Sequence, residues 1–334
     1  MPSSSRPSAA VNVSASASPD AAHRVIVLGA TGFLGRHVSR RLEDLGIDHV
    51  RIGHTAGASV DAAIDLASSA QHDLDKLIGG IAPTAVINCA GAVSGTTADL
   101  TRGNVVAVHA LLSALAWSAP AARLVQLGSS AEYGAVKTQS PMSEETPTEP
   151  TSPYGFTKLA ASELVLRSRE QGADAIVLRI FNVSGPQSPT STMLGGLVEQ
   201  LLGADAETSI ALDSLDGWRD YVDVRDVANA ACIAATIDRP LPSVVNIARG
   251  EAVQTREWVE RLLEVSRTGA QIVVKQGALG THKSSARAVA WQCADVTAAK
   301  TGLAWAPEID LAKSIADTWS AARADTRRVI QAVV

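Results

Sequence analysis

Five residues, Arg24-Val-Ile-Val-Leu28, form a short apolar run that stops at Gly29, and Leu34, Val38, Leu42 and Leu45 then follow at helical spacing. Between the two lies Gly29-Ala-Thr-Gly32-Phe-Leu-Gly35, a G-x-x-G-x-x-G turn. Glycines there let the chain bend tightly, bring backbone close to a pyrophosphate and pack helix against strand, while the helix N-terminus supplies free N–H donors. A glycine triplet alone also fits ordinary turns. Opening a first strand–helix unit, it points to dinucleotide binding, with Gly29, Thr31, Gly32, Phe33, Leu34, Gly35 and Arg36 as contact candidates.

Strand signals recur around residues 49–53 and at 85–88, 124–127, 175–180 and 244–247, with helical patterns between them. Fully apolar strands alternating with amphipathic helices imply a parallel sheet covered on both faces, and right-handed crossovers then give an α/β, Rossmann-like doubly wound fold. Past residue 185 the alternation loosens, through a Pro/Gly/Ser-rich stretch at 185–191 and irregular sequence at 275–290. A chain of 334 residues, at a prior of about 150 per domain, has room for roughly two units. The expected organisation is a disordered tail over 1–22, a dinucleotide-binding domain over 23–184 and 217–248, and a smaller discontinuous substrate lobe over 185–216 and 249–334.

Hydrophobic residues at 46% and charged residues at 19% place the chain among folded globular proteins. A net charge of −5 without a basic stripe gives nucleic acid or an anionic membrane nothing to hold. Cys89, Cys232 and Cys293 stand apart, with no C-x-x-C and no histidine cluster at metal-ligand spacing; they read as reduced core residues, and no metal is expected. No apolar run approaches the ~18 residues of a membrane span. The Ser/Ala/Pro-rich first 22 residues lack an apolar signal-peptide core, so the expected location is the cytoplasm.

An acidic residue closing the second strand would hold the ribose 2′-hydroxyl of NAD. His54 and Thr55 stand there instead, and Arg36, Arg51 and His54 are available to a 2′-phosphate, which favours NADP over NAD. Each of the three can equally be a solvated surface residue. Asp65 is within reach of an adenine.

Ser129-Ser-Ala-Glu-Tyr-Gly134 follows a buried strand, which places hydroxyls beyond the strand's C-terminal end. Ser152 and Pro153 read as the N-cap and first residue of a helix running to about Gln171. Tyr154 and Lys158 fall at i and i+4 on that helix, so the ammonium is expected to lie near the phenol and lower its pKa toward neutrality, making a general acid or base. Tyr-x-x-x-Lys alone occurs on many structural helices; with the glycine turn and the strand-end serine it reads as chemistry.

Together GATGFLG, NCAG (88–91), SSAEYG, YGFTK, RIFNVSGP (179–186) and RDYVDVRDVANA (219–230) resemble the extended short-chain dehydrogenase/reductases that act on nucleotide-sugars, over nearly all of residues 24–320. The resemblance implies a catalytic triad of Ser129, Tyr154 and Lys158, support from Asn104, cofactor contacts that include Leu66 and Ala90, and substrate contacts from Ser130, Asn182, Arg219 and Arg287. Guanidinium groups suit a diphosphate, since they donate charge-assisted, bidentate hydrogen bonds. Arg219 can alternatively pair with Asp220 or Asp223, and Arg287 can be a surface charge. Asp223 and Asp226 are expected to cap the helix that follows. The similar 4,6-dehydratases carry an acid two positions after the catalytic hydroxyl; here that position is Ala131, and Glu132 would face away from the site on an extended segment. The chain is most similar to GDP-4-keto-6-deoxymannose reductases and related 4-ketoreductases. By resemblance it reduces a nucleotide-diphosphate 4-keto-6-deoxyhexose and forms a homodimer. An NDP-sugar 4-epimerase with tightly held NAD is the alternative, and a non-catalytic nucleotide sensor a more distant one. Gly217-Trp218 can stack on a base or fill core; Trp258, Trp305 and Trp319 read as core.

Overall fold

The computed structural model describes residues 23–135, 139–275 and 290–333, so the expected tail and Arg287 lie outside the described residues. The chain begins β1 (Arg24–Leu28), α1 (Phe33–Asp44), β2 (Asp48–Gly53), the two-residue β3 (Ala62–Ala63), α2 (Gln71–Ile81) and β4 (Ala85–Asn88). A helical stretch of α3 (Thr97–Leu100), a π turn (Thr101–Val106) and α4 (Ala107–Ser118) leads to β5 (Arg123–Ser129), α5 (Pro153–Glu170) and β6 (Ala175–Ile180). Then come β7 (Asn182–Ser184), α6 (Met193–Leu202), β8 (Ser209–Leu212), β9 (Trp218–Asp223), α7 (Val224–Thr236), β10 (Val244–Ile247), β11 (Ala252–Gln254), α8 (Thr255–Ser266), β12 (Gln271–Val274), a second π turn (Ala299–Leu303) and α9 (Leu311–Val333).

Seven strands form one sheet in the order β10-β6-β5-β4-β1-β2-β3, every neighbouring pair parallel. This is the doubly wound Rossmann-like sheet that the apolar strands imply. Alternate residues of each strand feed two cores, Val25, Val27, Val125 and Ile176 toward α1 and α7, and Ile26, Val86, Leu124 and Val177 toward α2, α4 and α5. Trp305 lies in the first core and donates Nε1–H to the Asp226 carbonyl at 3.1 Å. A three-stranded sheet, β11-β9-β7, and a two-stranded one, β12-β8, lie apart from the large sheet. Beside them a third core gathers Trp258 and Trp319 with leucines of α6 and α8. All three tryptophans are buried as expected, whereas Trp218 is partly exposed.

The helical stretch from Thr97 to Ser118 runs on through the π turn, where Asn104 is buried. One local expectation is corrected. Asp223 does cap α7, accepting from the Arg225 amide, but Asp226 does not: its carboxylate accepts the amides of Glu308 and Ile309 at 3.1 and 3.0 Å and so tethers a distant loop.

Candidate active site

At the end of β1, Gly29 has φ +70°, and a Cβ there would sit 2.8 Å from the Ala90 backbone. A Cβ on Gly35 would meet the Gly29 carbonyl at 2.1 Å, so helix and turn touch backbone to backbone. The N-cap of α1 is Gly32, which has no side chain to cap the helix, so its first N–H groups have no side-chain cap at the edge of a cavity that Gly32 lines. That cavity, of about 630 Å³, is lined by Gly29, Thr31, Gly32, His54, Asp65, Leu66 and Ala90. Phe33, Leu34, Gly35 and Arg36 form the first turn of α1 beside it. A side-chain-free cradle against an uncapped helix end fits a dinucleotide pyrophosphate. Gly35→Ala is expected to cost about 1–3 kcal/mol, because backbone on both sides must move, and to weaken dinucleotide binding with it; denaturant unfolding and a cofactor titration read both effects.

The 2′-phosphate candidates separate here. Arg51 is withdrawn: Asp61 accepts from its Nε, Nη2 and backbone amide at 2.8 to 3.2 Å, on the side of β2 away from the cavity lining. Arg36 lies exposed at the rim, its guanidinium resting on the Gly32 and Thr31 carbonyls at 3.2 and 3.1 Å. His54 lines the cavity with its Nε2 3.3 Å from the Asp65 carboxylate.

β5 delivers Ser129 to the C-terminal edge of the sheet, and Ser130–Glu132 turn there as one 3₁₀ turn. The segment is thus not extended. Ser129 Oγ accepts the Ala131 amide at 3.2 Å, and Ser130 is buried at the start of the turn. Glu132 closes the turn as its capping partner, and its carboxylate runs beneath the site. It accepts the Ser129 amide at 2.8 Å, the Ser162 hydroxyl at 3.0 Å and Arg179 Nε at 2.9 Å, with 0% of the residue exposed. Arg179 in turn stacks over the Tyr133 ring at 4.7 Å, and the Tyr133 hydroxyl donates to Asn246 at 2.7 Å.

Ser152 caps α5 by accepting the Gly155 amide at 3.1 Å, with Pro153 in the first turn, as expected. Tyr154, Lys158 and Ser162 then fall at successive i+4 steps on the face toward β5. The expectation that Lys158 lowers the Tyr154 pKa is not met. Lys158 is buried and spends its ammonium on the Leu127 carbonyl at 2.6 Å. Burial pushes the Tyr154 phenol up, the Glu132 charge adds to that rise, and a hydrogen bond with Ser129 opposes it. Burial likewise pulls the Lys158 ammonium down, countered by Glu132 and Cys89. Asn104 donates to the Ala92 carbonyl and the Thr157 hydroxyl at 2.9 and 3.0 Å and accepts the Ala92 amide, joining the π turn to α5.

A second cavity, of about 500 Å³, opens among β7, β9 and α6 and contains Asn182 and Arg219. Arg219 pairs with neither aspartate, and it makes no salt bridge among the described residues. Its Nη1 donates to the Trp218 carbonyl at 2.8 Å, and the missing side chain of Gly217 gives the guanidinium its room. Burial without a carboxylate lowers its pKa. Asp220 is fully buried and accepts the amides of Arg249, Gly250 and Ala294 at 2.8, 2.9 and 3.1 Å, while burial pushes its carboxyl up to about 6. Asp223 instead holds Arg225 through both oxygens. Asn182 Nδ2 donates to the Asp220 carbonyl and to Gln292. Of the cysteines, Cys232 and Cys293 are buried with thiols pushed up to about 12, whereas Cys89 is half-buried on the dinucleotide cavity and also shifted up.

The profile of the NAD dependent epimerase/dehydratase family matches residues 25–248. The chain belongs to that family. It is 35% identical, over 89% of its length and 95% of the relative's, to a dTDP-6-deoxy-L-talose 4-dehydrogenase (NAD(P)(+)) of Kitasatospora kifunensis. It is 30% identical to a UDP-glucose 4-epimerase of Azospirillum brasilense, over 74% of this chain and 78% of that one. Its fold superposes on a structure of MoeE5 in complex with UDP-glucose and NAD at a TM-score of 0.75 and 27% identity, covering 92% and 99% of the two chains. As a member of the family's nucleotide-sugar branch, the chain is an NAD(P)-dependent enzyme that modifies NDP-sugars. Within this branch the residues that spacing alone leaves unread are Glu132, Ser162 and Arg179, because they come from three separate elements.

Proposed function

We propose that the enzyme reduces the C4 ketone of an NDP-4-keto-6-deoxyhexose with NADPH. The observation that carries this reading is a half-buried Tyr154 beside Ser129, its phenol pushed up by burial, with no free carboxyl next to them among the described residues. Ala131 occupies the position of a dehydratase acid, and Glu132 is engaged with Arg179. A proton donor without a neighbouring base suits ketone reduction better than loss of water. In this reading the glycine turn, His54, Asp65, Leu66 and Ala90 hold the dinucleotide, with Arg36 and His54 nearest a 2′-phosphate. The nicotinamide supplies a hydride when bound. Ser129 donates a hydrogen bond to the ketone oxygen, and Tyr154 transfers its proton to that oxygen as C4 gains the hydride, which turns C=O into CH–OH. Lys158, held against β5 by the Leu127 carbonyl, holds the ribose.

Asn182 and Arg219, which reach the second cavity from β7 and β9, are assigned to the diphosphate, with Ser130 facing the sugar and the smaller lobe, residues 185–216 and 249–334, closing around the nucleotide-sugar. A half-buried guanidinium that pairs with no carboxylate among the described residues is poised for an anion, since part of its desolvation has already been met. Arg219→Ala is expected to raise the KM for the nucleotide-sugar by about ten- to a hundredfold, matching about 1.5–3 kcal/mol for a charge-assisted hydrogen bond, with little change in the KM for NADPH. The 4-dehydrogenase relative supports redox at C4 with an exchanging cofactor. The epimerase relative supports the second reading, in which NAD stays bound. Denaturing the purified protein to identify released dinucleotide, then following added NADPH or NADH with dTDP- and GDP-4-keto-6-deoxyhexoses, separates the two. Substrate-dependent oxidation of NADPH is expected; stoichiometric bound NAD with no net consumption overturns the reductase. Exposed Val106, Phe156 and Trp117, the last 82% exposed, support a second copy against the α4–α5 face.

A further inference from the structure

Glu132 touches three elements that must stay in register for Ser129, Tyr154 and Lys158 to act together. Its Oε1 accepts the amide of Ser129 and the hydroxyl of Ser162, and its Oε2 accepts Arg179 Nε from β6. Ser162 is one helical turn beyond Lys158, and Lys158 Nζ donates directly to the Leu127 carbonyl, two residues before Ser129 on the same strand. Strand β5 is therefore gripped from α5 at two points, Leu127 by Lys158 and Ser129 through Glu132. Three donors converge on the two carboxylate oxygens, the pattern of an ionised group.

We propose that Glu132 is a positioning residue for the reaction, fixing the Ser129 backbone against the helix face that carries Tyr154 and Lys158 and placing a buried negative charge beside them. The kinetic part of this inference rests on the reductase reading; the charge and the clamp do not. The charged and titratable groups that face Glu132 and the Tyr154–Lys158 face are Arg179 from β6, Cys89 beyond β4, Tyr133 from the turn and the two residues themselves from α5. Among these, Glu132 opposes ionisation of the Tyr154 phenol and favours the charged ammonium of Lys158. Its charge thus keeps the acid loaded and the cation present, while its hydrogen bonds keep Ser129 aligned.

The chain has three tyrosines, so the ultraviolet titration of Tyr154 is readable as the difference between the wild-type protein and Tyr154→Phe. In Glu132→Gln, which keeps the shape and loses the charge, the Tyr154 midpoint is expected to fall by about one pH unit. Glu132→Asp should restore it toward the wild-type value. Under the reductase reading, the alkaline limb of kcat moves down with the midpoint, and KM for NADPH stays within about twofold. Superimposable titration curves for wild type and Glu132→Gln overturn the proposal, whatever reaction the enzyme performs. A uniform loss of activity with an unmoved limb also overturns it, leaving a merely structural role. Where Glu132→Gln yields no folded protein, the double variant Glu132→Gln/Arg179→Gln, which strands no buried charge, takes its place with the same expected direction.

Discussion

Replacing Tyr154 by phenylalanine is expected to lower kcat for ketone reduction by about 10²–10⁴-fold, the usual worth of a positioned general acid. The loss should fall on kcat. Phenylalanine keeps the ring where it is half-buried against Ser129 and removes only the proton that the proposed ketone reduction requires. The KM for NADPH and the unfolding midpoint are expected to stay near wild type, because Ser152, Thr157 and Lys158 still hold α5 in place. Since burial raises the phenol, the acid stays protonated across neutral pH, and reduction declines only as pH climbs through the elevated Tyr154 range. Steady-state kinetics over that range check both the size of the loss and the position of the limb.

The second large effect is on stability. Glu132→Ala should destabilise the fold by about 3–5 kcal/mol, the cost of leaving one partner of a buried ion pair uncompensated. Arg179 has no alternative: a guanidinium cannot shed its proton at any ordinary pH. Arg179→Met should cost less, because the stranded carboxyl can neutralise itself by taking up a proton. The difference has a signed pH dependence. In Arg179→Met, burial acts on Glu132 without the arginine that opposes it, so the folded-state pKa lies above the unfolded one. Stability is then full below the unfolded carboxyl range and is lost as pH rises through the folded value. Glu132→Ala has no such group and should not share the trend. Denaturant unfolding of the two variants at acidic and neutral pH distinguishes them.

How far this architecture can be read from residues alone follows from how local each signal is. β4 and β6, inside the large sheet, are fully buried, so Ala85–Asn88 and Ala175–Ile180 appear as largely apolar runs and their bounds are legible. The start of α5 is legible too, since Ser152 and Pro153 act within one turn. β3 is two residues long and β7 and β11 three each, too short to establish a period, and their partners are distant in sequence. The π turn at Asn104 leaves no compositional trace, because its cause is a tertiary contact with Ala92 and Thr157. For the same reason Arg51 reads as free until Asp61, ten residues on, folds back beside it. The i and i+4 spacing of Tyr154 and Lys158 gives the shared face correctly. It does not reveal that the Leu127 carbonyl, from another element, claims the ammonium.

The buried carboxylate of Asp220 gathers main chain: the amides of Arg249, Gly250 and Ala294 converge on it, next to Arg219. Any residue except proline can supply such a donor. The main chain at 249–250 and 294, beside the cavity proposed to take the nucleotide-sugar, is therefore pinned while its side chains remain free to vary. A lineage can exchange the residues around Ala290 and Gln292 to suit a new sugar or base without loosening the loop that carries them, so substrate preference can drift quickly on a frame that does not move.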